Sequence, residues 1–283
     1  MEEANIKPPR EEEEIPEEEE SGVGISEKET GVSKFTKALR LGTSNTEGIL
    51  NEFDQRGSEL KPYSHQRECV KWACALKWGF IVHDAGLGKT ASMLLLFCAT
   101  VLRVGSHATL LISAPKTVLH QWGDAIADWL RITSTQVLVT NKLAVLEREK
   151  DGKLLLDNYR VIVVSRDCLR MAFCKFMTQV TKENQAELGA TCGIGGWVRN
   201  RGAQLHPLFR DRMTSRGPVR RHTIIGIDEA HYMRNPQTAL TAAHCSIAGA
   251  CEYRFALTAT PVFNKPQDLL GLCMAVRADQ KFR

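Results

Sequence analysis

From Leu60 onward the chain alternates short, β-branched apolar runs with longer stretches of helical character, and this rhythm limits the fold more than any other feature. The runs are FIVHD, TLLISAP, QVLVT, YRVIVVS, TIIGIDEA and YRFALTATP, with helices expected from Thr90, across Val118 to Leu130 and across Asp167 to Val180. Each run has strand length and is too continuously apolar to keep one wet face, so each reads as a strand buried on both sides. Buried strands separated by helices predict an α/β fold, a parallel sheet covered by helices on both faces. Ligands bind such a sheet at the carboxyl ends of its strands.

Two stretches depart from the rhythm. The chain opens MEEANIKPPREEEEIPEEEE, whose glutamate runs carry almost no apolar residue and cannot offset chain entropy by burial. A disordered acidic tail is therefore expected over residues 1–55, ahead of a folded body at 56–283. Setting that tail aside leaves a body more basic than the overall net charge of +4, which favours a polyanionic partner such as nucleic acid. Residues 182–222 carry many glycines and arginines with little apolar periodicity, so a long surface insertion is expected there.

The nine cysteines form no Cys-x-x-Cys pair, which favours free thiols in a reducing compartment over zinc or disulfides. Met93 to Leu102, the longest apolar run, is too short to span a bilayer, and no membrane partner is expected.

Two motifs carry chemistry, and each follows a strand run. In VHDAGLGKT, Gly86 and Gly88 let backbone N–H groups approach phosphate oxygens at the entry to a helix. Lys89 would face the β- and γ-phosphates, and the Thr90 hydroxyl would face Mg²⁺. In IIGIDEAHYMRNP, Asp228 at a strand end can hold Mg²⁺, while Glu229 can orient and deprotonate an attacking water. Trp122 and Trp129 lie seven residues apart on one helix face and are expected to pack.

Taken together these motifs resemble the first motor lobe of superfamily-two helicases, and more closely that of the Swi/Snf-type chromatin-remodelling and DNA-translocase family. KPYSHQRECVKW is similar to the family's glutamine motif, with two extra residues after Tyr63, and the likeness implies that Gln66 reads the adenine edge. VHDAGLGKT is similar to the family's DEMGLGKT, with His83 where a strict phosphate loop has its first glycine. That match implies ATP contacts at Asp84, Gly86, Leu87, Gly88, Lys89 and Thr90. LISAPKTVLHQWGDAIADW resembles the segment whose polar pair, here Lys116 and Thr117, approaches a phosphodiester backbone. In YRVIVVSRDCLR, Ser165 and Arg166 stand where the next nucleic-acid motif has threonine and tyrosine. DEAHYMRNP matches the DEAH box, and RFALTATPVFNKPQDLLGL resembles the coupling motif, with Thr258, Thr260 and His231 linking the ATP site to strand binding.

The resemblance, spanning about Leu60 to Ala275, implies a RecA-like lobe that uses ATP and Mg²⁺ and acts on duplex DNA in chromatin remodelling or repair. Nuclear localisation is implied in a eukaryote, and otherwise the cytoplasm. Chromatin proteins are candidate partners of the acidic tail. Motors of this class hydrolyse ATP between two lobes, and the sequence stops at Arg283 before a second. Weak hydrolysis is therefore expected unless a second lobe joins in cis or in trans, because the partner lobe's arginine accelerates turnover by roughly 10³ to 10⁵. The alternatives are a non-catalytic nucleotide- or DNA-binding module and a DEAH-type RNA helicase.

Overall fold

The structure, a computed structural model, describes residues 46–48, 50–51, 61–104, 107–130, 132–150, 153–183, 208, 212–214, 217–219, 222–262 and 265–276. Its centre is a six-stranded sheet. The strands are β1 (Trp78–Val82), β2 (Leu110–Ala114), β3 (Val137–Thr140), β4 (Val161–Ser165), β5 (Ile224–Ile227) and β6 (Tyr253–Thr258). They lie in the order β1-β6-β5-β2-β4-β3, and every pairing is parallel. Each expected strand is present. This is the RecA-like helicase-lobe architecture.

Side chains that alternate along the strands feed two separate cores. Leu110, Ile112, Val161, Val163, Phe255 and Leu257 face one side, where α1 (Ser64–Leu76), α2 (Lys89–Val104) and α3 (Leu119–Trp129) cover them. Leu111, Ile162, Val164, Ile225, Ile227 and Ala256 face the other, under α4 (Arg166–Glu183), α5 (Ala239–Gly249) and α6 (Asp268–Ala275). All five residues of β2 and of β4 are buried, as double-faced burial requires. Helix starts are set locally. The Ser165 hydroxyl accepts from Cys168 N at 3.1 Å, and Thr238 accepts from Thr241 N at 3.2 Å.

The expected tail lies largely outside the described residues, but its boundary falls too late. Thr46 to Gly48, Leu50 and Asn51 are helical and pack on α1, with Leu50 buried in the core and Glu47 accepting from Arg67 Nη2 at 3.2 Å. Most of the expected 182–222 insertion also lies outside the described residues. Within it, Arg212–Thr214 and Gly217–Val219 pair antiparallel, and His222 and Leu208 are buried against each other. Among the described residues no helix is long and apolar enough to cross a membrane.

A buried histidine ties α5 to the end of β2. His244 of α5 is fully enclosed, with Nδ1 2.7 Å from the Leu240 carbonyl and Nε2 2.7 Å from Ser113 Oγ. A carbonyl only accepts, so Nδ1 carries the proton and Nε2 accepts from the serine. Burial pushes this imidazole down to about 4 from its ordinary 6.5. The unfolded chain therefore binds the proton first, and stability is complete above pH 6.5 and is lost as the pH falls toward 4. Between pH 7 and pH 5 the loss from this residue is about 2 kcal/mol. Urea midpoints should fall more steeply over that interval in the wild type than in His244→Gln; parallel falls would show that His244 takes up its proton without penalty.

Candidate ATP site and its strand-facing edge

Because every strand runs the same way, the carboxyl ends form one edge, and the strand order fixes the sequence of motifs along it. The GLGKT turn follows β1, Thr258–Thr260 ends β6, Asp228–Glu229 follows β5, Lys116–Thr117 follows β2 and Ser165–Arg166 ends β4. Segments 140 residues apart in the chain thus become neighbours across a single strand.

The phosphate loop is built on two glycines with left-handed backbone, Gly86 at φ 84° and Gly88 at φ 73°. A Cβ on Gly88 would also come within 2.4 Å of Gln66 Nε2, so the loop closes tightly against α1. Gln66 is buried and committed at both ends of its amide. Its Oε1 accepts from Tyr63 N at 3.0 Å, and its Nε2 donates to Leu87 O at 3.4 Å. Lys89 Nζ donates to the carbonyls of His83 at 2.9 Å and Asp84 at 3.2 Å, so the ammonium rests on its own loop. Asp84, Gly86 and Leu87 are exposed there, and Thr90 follows Lys89 in the first turn of α2.

His83, at the position of the usual first glycine, lies edge-on to His65 at 5.3 Å, and His65 stacks on Tyr63 at 5.8 Å. Burial pushes the His83 imidazole below its ordinary value, and the nearby His65 and Lys89 add to the effect. A neutral ring there leaves the positive charge of the loop to the lysine.

Asp228 is gripped on three sides. Its N–H donates to Ser113 O at 2.8 Å, its Oδ1 accepts from Glu229 N at 2.9 Å, and its Oδ2 accepts from the Trp122 indole at 2.8 Å. Burial raises its carboxyl above the usual range; the Trp122 bond opposes that, as does the positive field of Lys89. Trp122 was expected only to pack. It is indeed buried, but the structure also gives it a hydrogen bond to the central carboxylate of the site. The signal available in the sequence was a large indole just after a site strand, since a buried Trp N–H needs an acceptor.

Glu229 adopts a left-handed backbone, φ 48° and ψ 49°, a conformation that costs a non-glycine residue roughly 1–3 kcal/mol and persists where surroundings enforce it. Its half-exposed carboxylate lies 3.2 Å from His231 Nδ1, and that nitrogen is 3.5 Å from Thr258 Oγ1. Thr260 N donates to Thr258 Oγ1 at 3.2 Å. Glu229, His231, Thr258 and Thr260 are thus brought into one chain of contacts. Behind them α6 presses on the Ala230–Met233 turn so closely that a Cβ on Gly271 would meet the Met233 carbonyl at 2.0 Å.

Lys116 and Thr117 are exposed in the short 3₁₀ turn between β2 and α3, open to a ligand from solvent. At the next strand end the side chains turn inward. Ser165 caps α4, and the Arg166 guanidinium lies 3.6 Å from the centre of the Tyr232 ring.

The donor set suits Mg²⁺ and a nucleoside triphosphate: hard oxygens at Thr90 and Asp228, an ammonium near Asp228, and a glycine turn opening a helix.

Comparison with known proteins identifies the family. Residues 65–280 match the family model of the SNF2-related domain. The ATP-dependent helicase ULS1 of Saccharomyces cerevisiae is 27% identical over 261 residues, covering 85% of this chain and 15% of its own. Among solved structures, the Pyrococcus furiosus Hef helicase domain superposes with a TM-score of 0.51 at 14% identity, over 76% of this chain and 36% of that one. The Sulfolobus solfataricus SWI2/SNF2 ATPase core in complex with dsDNA gives 0.49 at 21% identity, over 76% and 37%. The chain therefore spans well under half the length of these relatives.

Proposed function

The chain belongs to the SNF2-related family, and from that premise we propose that it is the ATP-binding and ATP-hydrolysing lobe of a DNA-dependent ATPase that couples hydrolysis to movement along duplex DNA. The observation that carries the reading is the row of motifs along one sheet edge, phosphate loop, coupling threonines, acidic pair and exposed Lys116–Thr117, in that order. The curated relative ULS1 is described as an ATP-dependent helicase, which supports the same class of chemistry.

In this reading the backbone N–H groups at the start of α2 receive the phosphates, and Lys89 leaves the His83 and Asp84 carbonyls to neutralise the β- and γ-oxygens. Mg²⁺, when bound, neutralises charge developing on the phosphoryl oxygens. Thr90 and Asp228 would hold it. Glu229, open to solvent on one side, orients the attacking water and takes its proton. His231 keeps that carboxylate in register with Thr258, so a shift of β6 is felt at Glu229. A second lobe, in cis or in trans, completes the cleft with an arginine and gives the motor the partner it moves against.

Lys116 and Thr117 meet the phosphodiester backbone of one strand. Replacing Lys116 with alanine should weaken duplex binding at every sequence tested and lower the slope of log affinity against log salt by about 1. Titration of labelled duplexes across a salt series checks this. An unchanged slope would remove Lys116 from the interface, and tighter binding to RNA than to duplex DNA would favour the RNA-helicase reading.

A further inference from the structure

The DEAH aspartate is held by a residue from a different motif. Asp228 Oδ1 accepts from the next residue's own N–H, so that bond moves with the turn and cannot fix the carboxylate relative to the rest of the site. Among the described residues, the hydrogen bond that anchors the carboxylate to another element is the one from Trp122 Nε1 of α3, at 2.8 Å from Oδ2. Trp122 is 2% exposed and sits in the core under β2 and β4, so the indole has a single, well-packed position. An indole N–H only donates, and it neither titrates nor competes for a cation. Each carboxylate oxygen therefore keeps a lone pair for a ligand while its orientation is set.

We propose that Trp122 is a positioning residue for Asp228, its indole N–H fixing the carboxylate in the orientation that receives Mg²⁺ with the nucleotide. The proposal rests on the ATP-site reading above. It gives the tryptophan a role in metal-dependent nucleotide binding in addition to its packing. It also gives the segment that begins with Lys116 and Thr117 a direct hold on the ATP site, because α3 starts directly after that turn.

The experiment measures affinity for a fluorescent ATP analogue with and without Mg²⁺ in the wild type, Trp122→Phe and Asp228→Asn. Trp122→Phe keeps an aromatic ring and removes the donor. The expected result is a Mg²⁺ midpoint raised about tenfold, on the scale of a hydrogen bond to a charged group, with Mg²⁺-free affinity within about twofold of the wild type. A merely structural tryptophan would lower both affinities together or neither. An unchanged midpoint in Trp122→Phe, beside a large shift in Asp228→Asn, overturns the proposal and leaves the ATP site standing. If Asp228→Asn also leaves the midpoint unchanged, the site reading fails first.

A variant that does not fold is bypassed with the wild type alone, ¹⁵N-labelled at its five tryptophans. Adding Mg²⁺ to the nucleotide-bound protein should shift the Trp122 indole resonance more than the other four. An indole signal that ignores Mg²⁺ would contradict the role.

Discussion

Glu229→Gln is expected to bind ATP as the wild type does and to hydrolyse it about 10² to 10⁴ times more slowly. The substitution keeps the side chain's length and leaves an amide oxygen to accept from His231 Nδ1, which lies 3.2 Å from Glu229 Oε2. The left-handed backbone at this residue is imposed by its neighbours, including the Asp228 bond to its N–H and the α6 contact behind the turn. That geometry survives the change. What disappears is the proton acceptor. Filter binding paired with a hydrolysis assay separates the two effects, and a variant that loses binding and turnover together would make Glu229 a structural residue.

Lys89→Ala should lose about 100-fold in ATP affinity, because in the proposed reading its ammonium neutralises the β- and γ-phosphate oxygens. Among the described residues this ammonium donates to two loop carbonyls, those of His83 and Asp84. Both groups are near solvent, so removing the lysine should leave thermal stability almost unchanged. Equilibrium titration with ATP, beside a melting curve, tests both halves. Retained affinity in a folded variant would mean that GLGKT is only a tight helix entry.

The strands were legible because burial on both faces writes short, β-branched apolar runs such as VIVVS, which differ from the longer, Leu-rich run of α2 at Met93 to Leu102. The glycine turn at Gly86 and Gly88 and the helix start at Lys89 were legible for a related reason, since both are local features of one short segment. The partners that sequence reading missed are joined through space. Nothing near Trp122 in the chain points to Asp228, which lies 106 residues away. The α6 contact with the DEAH turn depends on Gly271 having no side chain, a demand visible only once both elements are packed. Arg166 looked like a change in a nucleic-acid motif; in the fold its guanidinium rests on Tyr232, the residue after the DEAH box. Leu50 falls inside the stretch expected to be tail, yet it is buried as a member of the core that α1, α2 and α3 build on one face of the sheet.

The most direct test of the ATPase assignment is single-turnover hydrolysis of radiolabelled ATP bound to the purified protein, with no nucleic acid, duplex DNA, single-stranded DNA or RNA, and with Glu229→Gln as the blank. This format registers even slow chemistry, so it does not depend on a fast second lobe. The account predicts phosphate release above the blank, accelerated most by duplex DNA. Bound ATP that persists equally in the wild type and the blank, with duplex DNA present, would contradict it.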